Sequence, residues 1–274
     1  MPEIIIQYAP WVLAMALTGL VAGFIAGLLG VGGGIVIVPV LDTVLAAFDV
    51  DVSIRMKVAV ATSLATILAT SWASANSHRQ HKAVDFDLLK TWGPAIFVGV
   101  VLGTLLAGAV DGRVMTLIFA ITALVVAANM VLRADSHKLL DGFPNPVVKA
   151  GLGVVVGLIS ALMGIGGGTL SVPILTAFGT DIRRAVGTAS AIGFIIAIPG
   201  TIGYVIAGWT VSGLPPFSFG FANLAALVTI IPLSMFTSRY GAKVAHTIPR
   251  RYLAYGFGAF LILTSVKMFY ALLG

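Results

Sequence analysis

One glycine-rich phrase occurs twice in this chain, and it constrains the fold more than any other feature of the sequence. Residues 27–41 have the sequence GLLGVGGGIVIVPVL, and residues 161–175 have the sequence ALMGIGGGTLSVPIL, at a constant offset of 134 residues. Three consecutive glycines inside an apolar run oppose a continuous helix, because each glycine costs about 1 kcal/mol relative to alanine. We therefore expect two matched helix breaks, one in each half of the chain.

The rest of the chain is apolar enough to lie in a membrane. Hydrophobic residues make up 59% of it and charged residues only 9%, whereas about 25% of the residues of a soluble domain are charged. Several stretches approach or exceed the ~18 apolar residues of a membrane helix. The pattern predicts an all-α polytopic membrane protein, folded as a single transmembrane domain over residues 1–274. Its ten apolar segments lie near residues 11–29, 34–48, 58–76, 91–110, 114–132, 147–163, 168–178, 185–208, 217–237 and 252–272.

The composition also argues against other classes of protein. The chain has no cysteine, which excludes disulfides and cysteine-based metal sites. Its first ten residues contain Glu3 and no Lys or Arg, so we expect no cleavable signal peptide. The net charge of +6 is attributed to cytoplasmic loops and not to nucleic-acid binding. No apolar segment carries a paired acid and base, a Ser–His pair or a metal-ligand cluster, so we predict no enzyme, cofactor or metal.

The segment after the second glycine run is too short to cross the membrane. Residues 169–178 would form a helix of only about 15 Å, against a hydrocarbon core of about 30 Å. The segment ends in the polar sequence of residues 179–184, which belongs at a water interface. We therefore predict that each glycine break lies inside the membrane, in a hairpin whose limbs enter and leave from the same side.

The basic residues support this hairpin arrangement. With both hairpins returning to their own side, 12 of the 16 basic residues fall on one side and 4 on the other. A single broken crossing in place of each hairpin would give 7 against 9. Because Lys and Arg collect in cytoplasmic loops, we predict that both termini lie outside the cytoplasm, on the periplasmic or extracellular side, which for a protein of the bacterial inner membrane is the periplasm. The 12 cytoplasmic residues are Arg79, Lys82, Lys90, Arg133, Lys138, Lys149, Arg183, Arg184, Arg239, Lys243, Arg250 and Arg251.

The two halves are predicted to be inverted repeats of five helical segments each. The repeats cover residues 8–133 and 146–274, joined by a cytoplasmic linker over residues 134–145. Each half contains one hairpin and three crossings, which is an odd number, so the halves have opposite orientations. Inverted repeats whose broken helices meet inside the membrane are the architecture of secondary transporters.

Three motifs together resemble the TauE/SafE family of sulfite exporters. They are the doubled Gly-x-Gly-Gly-Gly with its following proline, the Ala-Val-x-Thr segments at residues 59–62 and 185–188, and residues 81–85, HKAVD. The similarity runs through essentially the whole chain. It implies export of sulfite or of sulfonates such as sulfoacetate, coupled to the proton gradient. The chain departs from the family at residues 188–190, TAS, where Thr-Ser is common.

The glycines suit an anion site for a physical reason. A helix N-terminus has unpaired N–H groups and about half a positive charge, so it binds oxyanions without a side-chain cation. Glycine also lets the backbone approach the ligand, because no Cβ intervenes. The alternative is that the glycines only allow close helix packing. The candidate site residues are Gly32, Gly33, Gly34, Gly166, Gly167 and Gly168.

Hydroxyl side chains after each hairpin extend the candidate site. Thr62 and Ser63 in the first half, and Thr188 and Ser190 in the second, are predicted to contact the anion. The alternative is that these hydroxyls bond to helix carbonyls or to neighbouring helices. Asp42 is the deepest acid in any segment and is a candidate for proton coupling. An interfacial carboxylate would explain Asp42 equally well.

The basic cluster near His78 and His81 is interpreted as a solvated cytoplasmic loop near anionic lipid headgroups, and not as a metal site.

The predicted function is a secondary transporter for small sulfur-containing oxyanions. A passive anion channel, or a transporter of another small carboxylate or oxyanion, stays open as an alternative. The expected partners are the anionic substrate, the lipid bilayer and a second copy of the chain in a homodimer.

Overall fold

The computed structural model describes residues 2–29, 33–132, 140–245 and 247–273. Within these ranges the chain forms ten α-helices and one two-stranded β-hairpin. Each predicted apolar segment overlaps one helix. The helices are α1 (Pro2–Leu29), α2 (Gly34–Ala47), α3 (Val52–Gln80), α4 (Phe86–Ala109), α5 (Gly112–Leu132), α6 (Pro146–Met163), α7 (Gly167–Ala177), α8 (Ile182–Ala207), α9 (Leu224–Ala245) and α10 (Arg250–Leu273).

Length separates the helices into two groups. Eight of those in the described part of the chain are long and apolar enough to cross a membrane. The two helices that follow the glycine runs, α2 and α7, have only 14 and 11 residues. The prediction of an all-α polytopic membrane protein is confirmed, and the two short segments lie where the glycines predict them.

Several helices begin before the apolar run that predicted them, because a polar side chain caps each start. Asp51 precedes α3 and accepts hydrogen bonds from the backbone N–H and the hydroxyl of Ser53. The bond from the Ser53 hydroxyl, followed by the bond from the Ser53 N–H, lowers the pKa of the exposed Asp51 carboxyl below its ordinary value. Asp85 and Asp181 cap α4 and α8 in the same way. Hydropathy therefore marks the apolar part of each helix, whereas the caps mark its first turn.

The start of α9 differs most from the prediction. The segment predicted from residue 217 begins with a hairpin, in which β1 (Ser218–Phe219) pairs antiparallel with β2 (Ala222–Asn223). Gly220 has a φ of +56°, which favours glycine at this tight turn. The helix itself begins at Leu224, where the Asn223 side chain accepts the Ala226 N–H.

Glycine ridges hold two pairs of helices together. On α1, a Cβ at Gly23 would lie 2.3 Å from the Ser234 Cα of α9, and one at Gly27 would lie 2.0 Å from the Ser238 carbonyl oxygen. On α6, a Cβ at Gly157 would lie 2.0 Å from the Ile96 carbonyl oxygen of α4. Lipid gives helices no hydrophobic reason to associate, so this close backbone packing is what stabilises the pairs.

Helices and hydrogen bonds connect the two halves of the chain. Helix α1 of the first half packs on α9 of the second, and α6 of the second half packs on α4 of the first. Thr62 Oγ1 on α3 accepts the backbone N–H of Asn223, which caps α9, at 3.0 Å. Thr188 Oγ1 on α8 accepts the backbone N–H of Asp85, which caps α4, at 2.9 Å.

The predicted linker over residues 134–145 is described only in its second part, since residues 134–139 lie outside the described ranges. That second part is tied to the end of α7. The Leu140 N–H donates to the Ala177 carbonyl at 3.2 Å, and the Gly142 N–H donates to the Phe178 carbonyl at 3.0 Å. The linker therefore ends against the helix that the second glycine run begins.

Candidate functional site

The two glycine turns contact each other near the middle of the molecule. A Cβ at Gly34 would lie 2.4 Å from the Gly164 carbonyl oxygen and 2.9 Å from the Ile165 Cα. Ser63 Oγ donates to the same carbonyl of Gly164 at 2.6 Å. The side chain of Ile67, close to the middle of the 29-residue α3, packs beside both turns. The turns therefore lie at about the same depth as the centre of the long helix α3.

A cavity of about 270 Å³ lies on one side of these turns. It is large enough for a small oxyanion. It extends along the C-terminal half of α3 and is bounded by the second half of α9 and the first half of α8. The lining residues come from six helices and are mainly glycine, alanine, serine and aliphatic residues; those that concern the site are Gly33, Thr70, Ser71, Ser74, His78, Gly166, Gly167, Gly168, Ser190, Ser234 and Ser238.

The helices that begin at the turns have a glycine at the N-cap position, which cannot supply a side-chain cap. No side chain caps α2 after Gly33 or α7 after Gly166. By contrast, an Asp or Asn side chain accepts a backbone N–H at the start of six other helices. These six are α3, α4, α5, α6, α8 and α9. Gly33 lines the cavity at the start of α2, and Gly166, Gly167 and Gly168 line it at the start of α7. The backbone at the start of both helices therefore faces the space where a ligand would lie.

The structure places five of the sequence-predicted residues on the cavity. Gly33 lies at the start of α2, and Gly166, Gly167 and Gly168 lie at the start of α7. Ser190 on α8 also lines the cavity, and its Oγ is 3.0 Å from the Ser74 Oγ of α3. These residues bring both glycine turns and one predicted hydroxyl to a single space.

Other predicted residues lie behind the cavity wall. Gly34 packs against the turn of the other half, and Ser63 bonds to that turn. Thr62 and Thr188 are fully buried and brace α9 and α4. Gly32 lies outside the described residues. The predicted site is thus divided into residues that face the cavity and residues that support its walls.

Sequence reasoning missed the contribution of α9. Ser234 and Ser238 line the cavity, and they donate to the carbonyls of Ile231 and Met235, both at 3.0 Å. Their spacing of four residues puts them on one face of a helix, and this was the available signal. It becomes informative only once α9 is known to pack on the glycines of α1.

The described residues that line the cavity include no Lys, Arg, Asp or Glu, and His78 is the one ionisable side chain among them. Asp42, the predicted proton-coupling residue, lies elsewhere. Its Oδ1 accepts the Arg55 Nε–H at 2.8 Å, near the other end of α3. The two side chains are only 11% and 15% exposed, so the ion pair lies partly inside the protein.

Comparison with known proteins identifies relatives over nearly the whole chain. The model of the family described as sulfite exporter TauE/SafE matches residues 15–268. A Haemophilus influenzae protein named probable membrane transporter protein is 35% identical over 259 residues, which cover 94% of this chain and 98% of that protein. A similarly named protein of Methanocaldococcus jannaschii is 27% identical over 250 residues, covering 87% of this chain and 88% of that protein. No solved structure shows significant similarity.

Proposed function

The chain belongs to the TauE/SafE family of sulfite exporters, and from this premise we propose that it exports small sulfur-containing oxyanions, such as sulfite and sulfoacetate, across the bacterial inner membrane. The observation that supports the proposal is the cavity beside two uncapped helix N-termini. Membrane transport itself follows from the family; the substrate class is our inference.

The chemistry of the cavity favours an anion. Helix N-termini attract negative charge. The hydroxyls of Thr70, Ser190, Ser234 and Ser238 donate to carbonyls of their own helices, and each would rotate to donate its proton to an anion instead. The described lining residues include no carboxylate that could hold a cation. Hydrogen bonds to a charged oxygen are about twice as strong as those between neutral groups. A sulfonate or sulfite can accept several such bonds at once, because each of its oxygens carries lone pairs.

The orientation of the cavity favours export. The cavity includes His78, in the last turn of α3, and Ser238, in the second half of α9. These are the helix ends that lead into the loops with most of the basic residues. Under the positive-inside rule that side is cytoplasmic, so the cavity would be loaded from the cytoplasm.

The closed side of the cavity favours a carrier over a channel. Gly34 touches the other turn, and Ile67 packs beside both turns. A passive channel needs a continuous path, whereas a carrier is open to one side at a time. In a carrier, the opposite side would open in its turn.

Two energy sources could drive export. An inside-negative membrane potential favours exit of a monoanion by about 2.3 kcal/mol per 100 mV, so a proton is not needed for the direction of transport. Coupling to protons through Asp42 stays a prediction. Its ion pair with Arg55 gives this carboxylate a structural role as well.

Reconstitution into liposomes tests the proposal. Vesicles loaded with sulfite, methanesulfonate, sulfoacetate, sulfate or acetate would be given a potential or a pH gradient separately, and efflux would be measured. We expect saturable efflux of sulfite and sulfonates that exceeds efflux of acetate. Absence of efflux for every sulfur oxyanion would contradict the substrate class, and single-channel currents would contradict the carrier.

A further inference from the structure

Helix α3 presents a continuous stripe to the cavity. Ile67, Thr70, Ser71, Ser74 and His78 all line it. Their spacings of three and four residues place them on one face of the helix. Ile67 lies beside the glycine turns, and His78 lies in the last turn of α3. An anion that enters along this stripe therefore passes the imidazole first, then the hydroxyls, and reaches the helix N-termini last.

We propose that His78 is the residue that recognises the charge of the anion at the mouth of the cavity, and that its imidazolium form admits the anion more readily than its neutral form. This inference rests on the proposed function and adds to it a residue that determines specificity. It gives a cationic form to a cavity whose described lining otherwise has no ionisable side chain.

Among the described residues that line the cavity, His78 is the one side chain that can change its charge. The residues that line the cavity from α1, α2, α7, α8 and α9 are glycine, alanine, serine, valine and isoleucine, and none of them titrates. Outside the cavity lining, Arg79 follows His78 on α3, Arg239 follows Ser238 on α9, and both are exposed. Arg184, near the start of α8, pairs with Asp85 at 2.9 Å.

His81, in the turn after α3, is the other imidazole nearby. It is exposed, its Nδ1 lies 2.8 Å from the Ser77 carbonyl oxygen, and it does not line the cavity. It is therefore the matched control for His78. The permanent charges of the arginines do not change near neutral pH, whereas an imidazole changes its charge there.

The expected effect is moderate, because His78 is only half-buried. Ion pairs at exposed sites change an equilibrium by up to about fivefold. We expect the KM for a monoanion to fall by up to about this factor as the pH on the cavity side falls from about 8 to about 4.5. The range extends to this acid limit because partial burial disfavours the charged form of an imidazole. The maximal rate should change little, because the imidazole acts on entry and lies away from the glycine turns.

The test measures efflux of methanesulfonate from liposomes, as a function of pH on the cavity side. Methanesulfonate keeps one negative charge over this range, whereas sulfite changes its own charge near neutral pH. Wild type, His78→Gln, His78→Lys and His81→Gln would be compared after their thermal stability has been checked. We expect His78→Gln to keep the high KM at every pH and His78→Lys to keep the low KM at every pH. His81→Gln should keep the pH dependence of the KM, with at most a shift of its midpoint to higher pH, because His81 repels a charged His78.

A wild-type pH profile in His78→Gln would overturn the inference, and so would a His81→Gln variant that loses the pH dependence by itself. Should His78→Gln fail to fold, a His78→Lys variant that keeps the wild-type pH profile would overturn it equally. These outcomes are distinct from failure of the proposed function. If the wild type moves no sulfonate at any pH, the substrate class is wrong; if it moves sulfonate and the variants keep its profile, only the role of His78 is wrong.

Discussion

Replacing Gly166 by alanine separates an anion-binding role of the glycine turns from a packing role. Gly166 has a φ of −77° and a ψ of 173°, an extended conformation that any residue adopts. A Cβ there would have Ile67 Cγ2 as its nearest neighbour, at 3.6 Å, which is an ordinary van der Waals distance. The fold therefore accepts the methyl group. In the cavity, however, the methyl group would lie at the N-terminus of α7 and would obstruct an anion that approaches the backbone there.

The expected loss of affinity follows from the hydrogen bonds at that terminus. If the methyl group displaces the anion from one backbone N–H, a hydrogen bond to a charged group is lost, which costs about 1.5–3 kcal/mol. Since 1.4 kcal/mol corresponds to a factor of ten, we expect the Kd to rise by about 10- to 150-fold. The free energy of unfolding without ligand should stay within about 0.5 kcal/mol of the wild type.

Calorimetric titration with methanesulfonate measures the affinity, and ligand-induced stabilisation checks it. At a concentration of about 100 times the wild-type Kd, the anion stabilises the folded wild type by about 2.7 kcal/mol. A variant with a hundredfold weaker Kd would gain only about 0.4 kcal/mol at that concentration. Gly151→Ala is the matched control, since a Cβ at Gly151 on α6 would meet nothing within 4 Å and Gly151 does not line the cavity. A stable Gly166→Ala variant with the Kd of the wild type would refute the backbone-site hypothesis.

Three further substitutions test the packing and the polar contacts. Gly157→Ala should lower the free energy of unfolding by about 1–3 kcal/mol, because its Cβ would lie 2.0 Å from a carbonyl oxygen of α4. Thermal unfolding in detergent measures this loss of stability, and a variant as stable as the wild type would contradict the prediction. Thr62→Val should lower the free energy of unfolding by about 1–3 kcal/mol, because it leaves the buried N–H of Asn223 without its acceptor. Thr62→Ser should keep most of the stability, and equal free energies of unfolding for the two variants would argue against the hydrogen bond. Asp42→Asn should lower the free energy of unfolding by about 1–3 kcal/mol, because it removes the counter-charge of Arg55. Efflux under a pH gradient measures whether proton coupling is lost as well. Unchanged proton-driven efflux would exclude Asp42 as the proton carrier.

Local chemistry was enough to predict the fold class and the position of the breaks. Apolar runs predict the helices, and the two glycine runs predict where α2 and α7 begin, since consecutive glycines oppose a helix wherever they occur. The early starts of α3 and α4 were missed because hydropathy does not register a polar cap. The β-hairpin before α9 was missed because Phe217 and Phe219 extend the apolar run into the turn.

The division of the candidate site could not be predicted, because it depends on contacts between the halves. Gly33 and Gly34 are adjacent, yet Gly33 lines the cavity and Gly34 packs against Gly164. The recurrence of Thr62 and Thr188 after each hairpin indicated a shared role. In the structure, each threonine hydroxyl accepts the backbone N–H of the residue that caps the N-terminus of a helix in the other half. A repeated residue therefore indicates a repeated contact, which need not involve the ligand.

The two threonine contacts differ in a way that agrees with a cavity open to one side. Thr62 and Asn223 are 0% and 2% exposed, and neither is charged. At the corresponding contact of the other half, the carboxylate of Asp85 is 23% exposed and pairs with Arg184 at 2.9 Å. Closing that side would bury a carboxylate, which is costly unless a counter-charge accompanies it. Arg184 supplies that charge, whereas the contact of Thr62 with Asn223, which is buried in this structure, uses an amide and needs none.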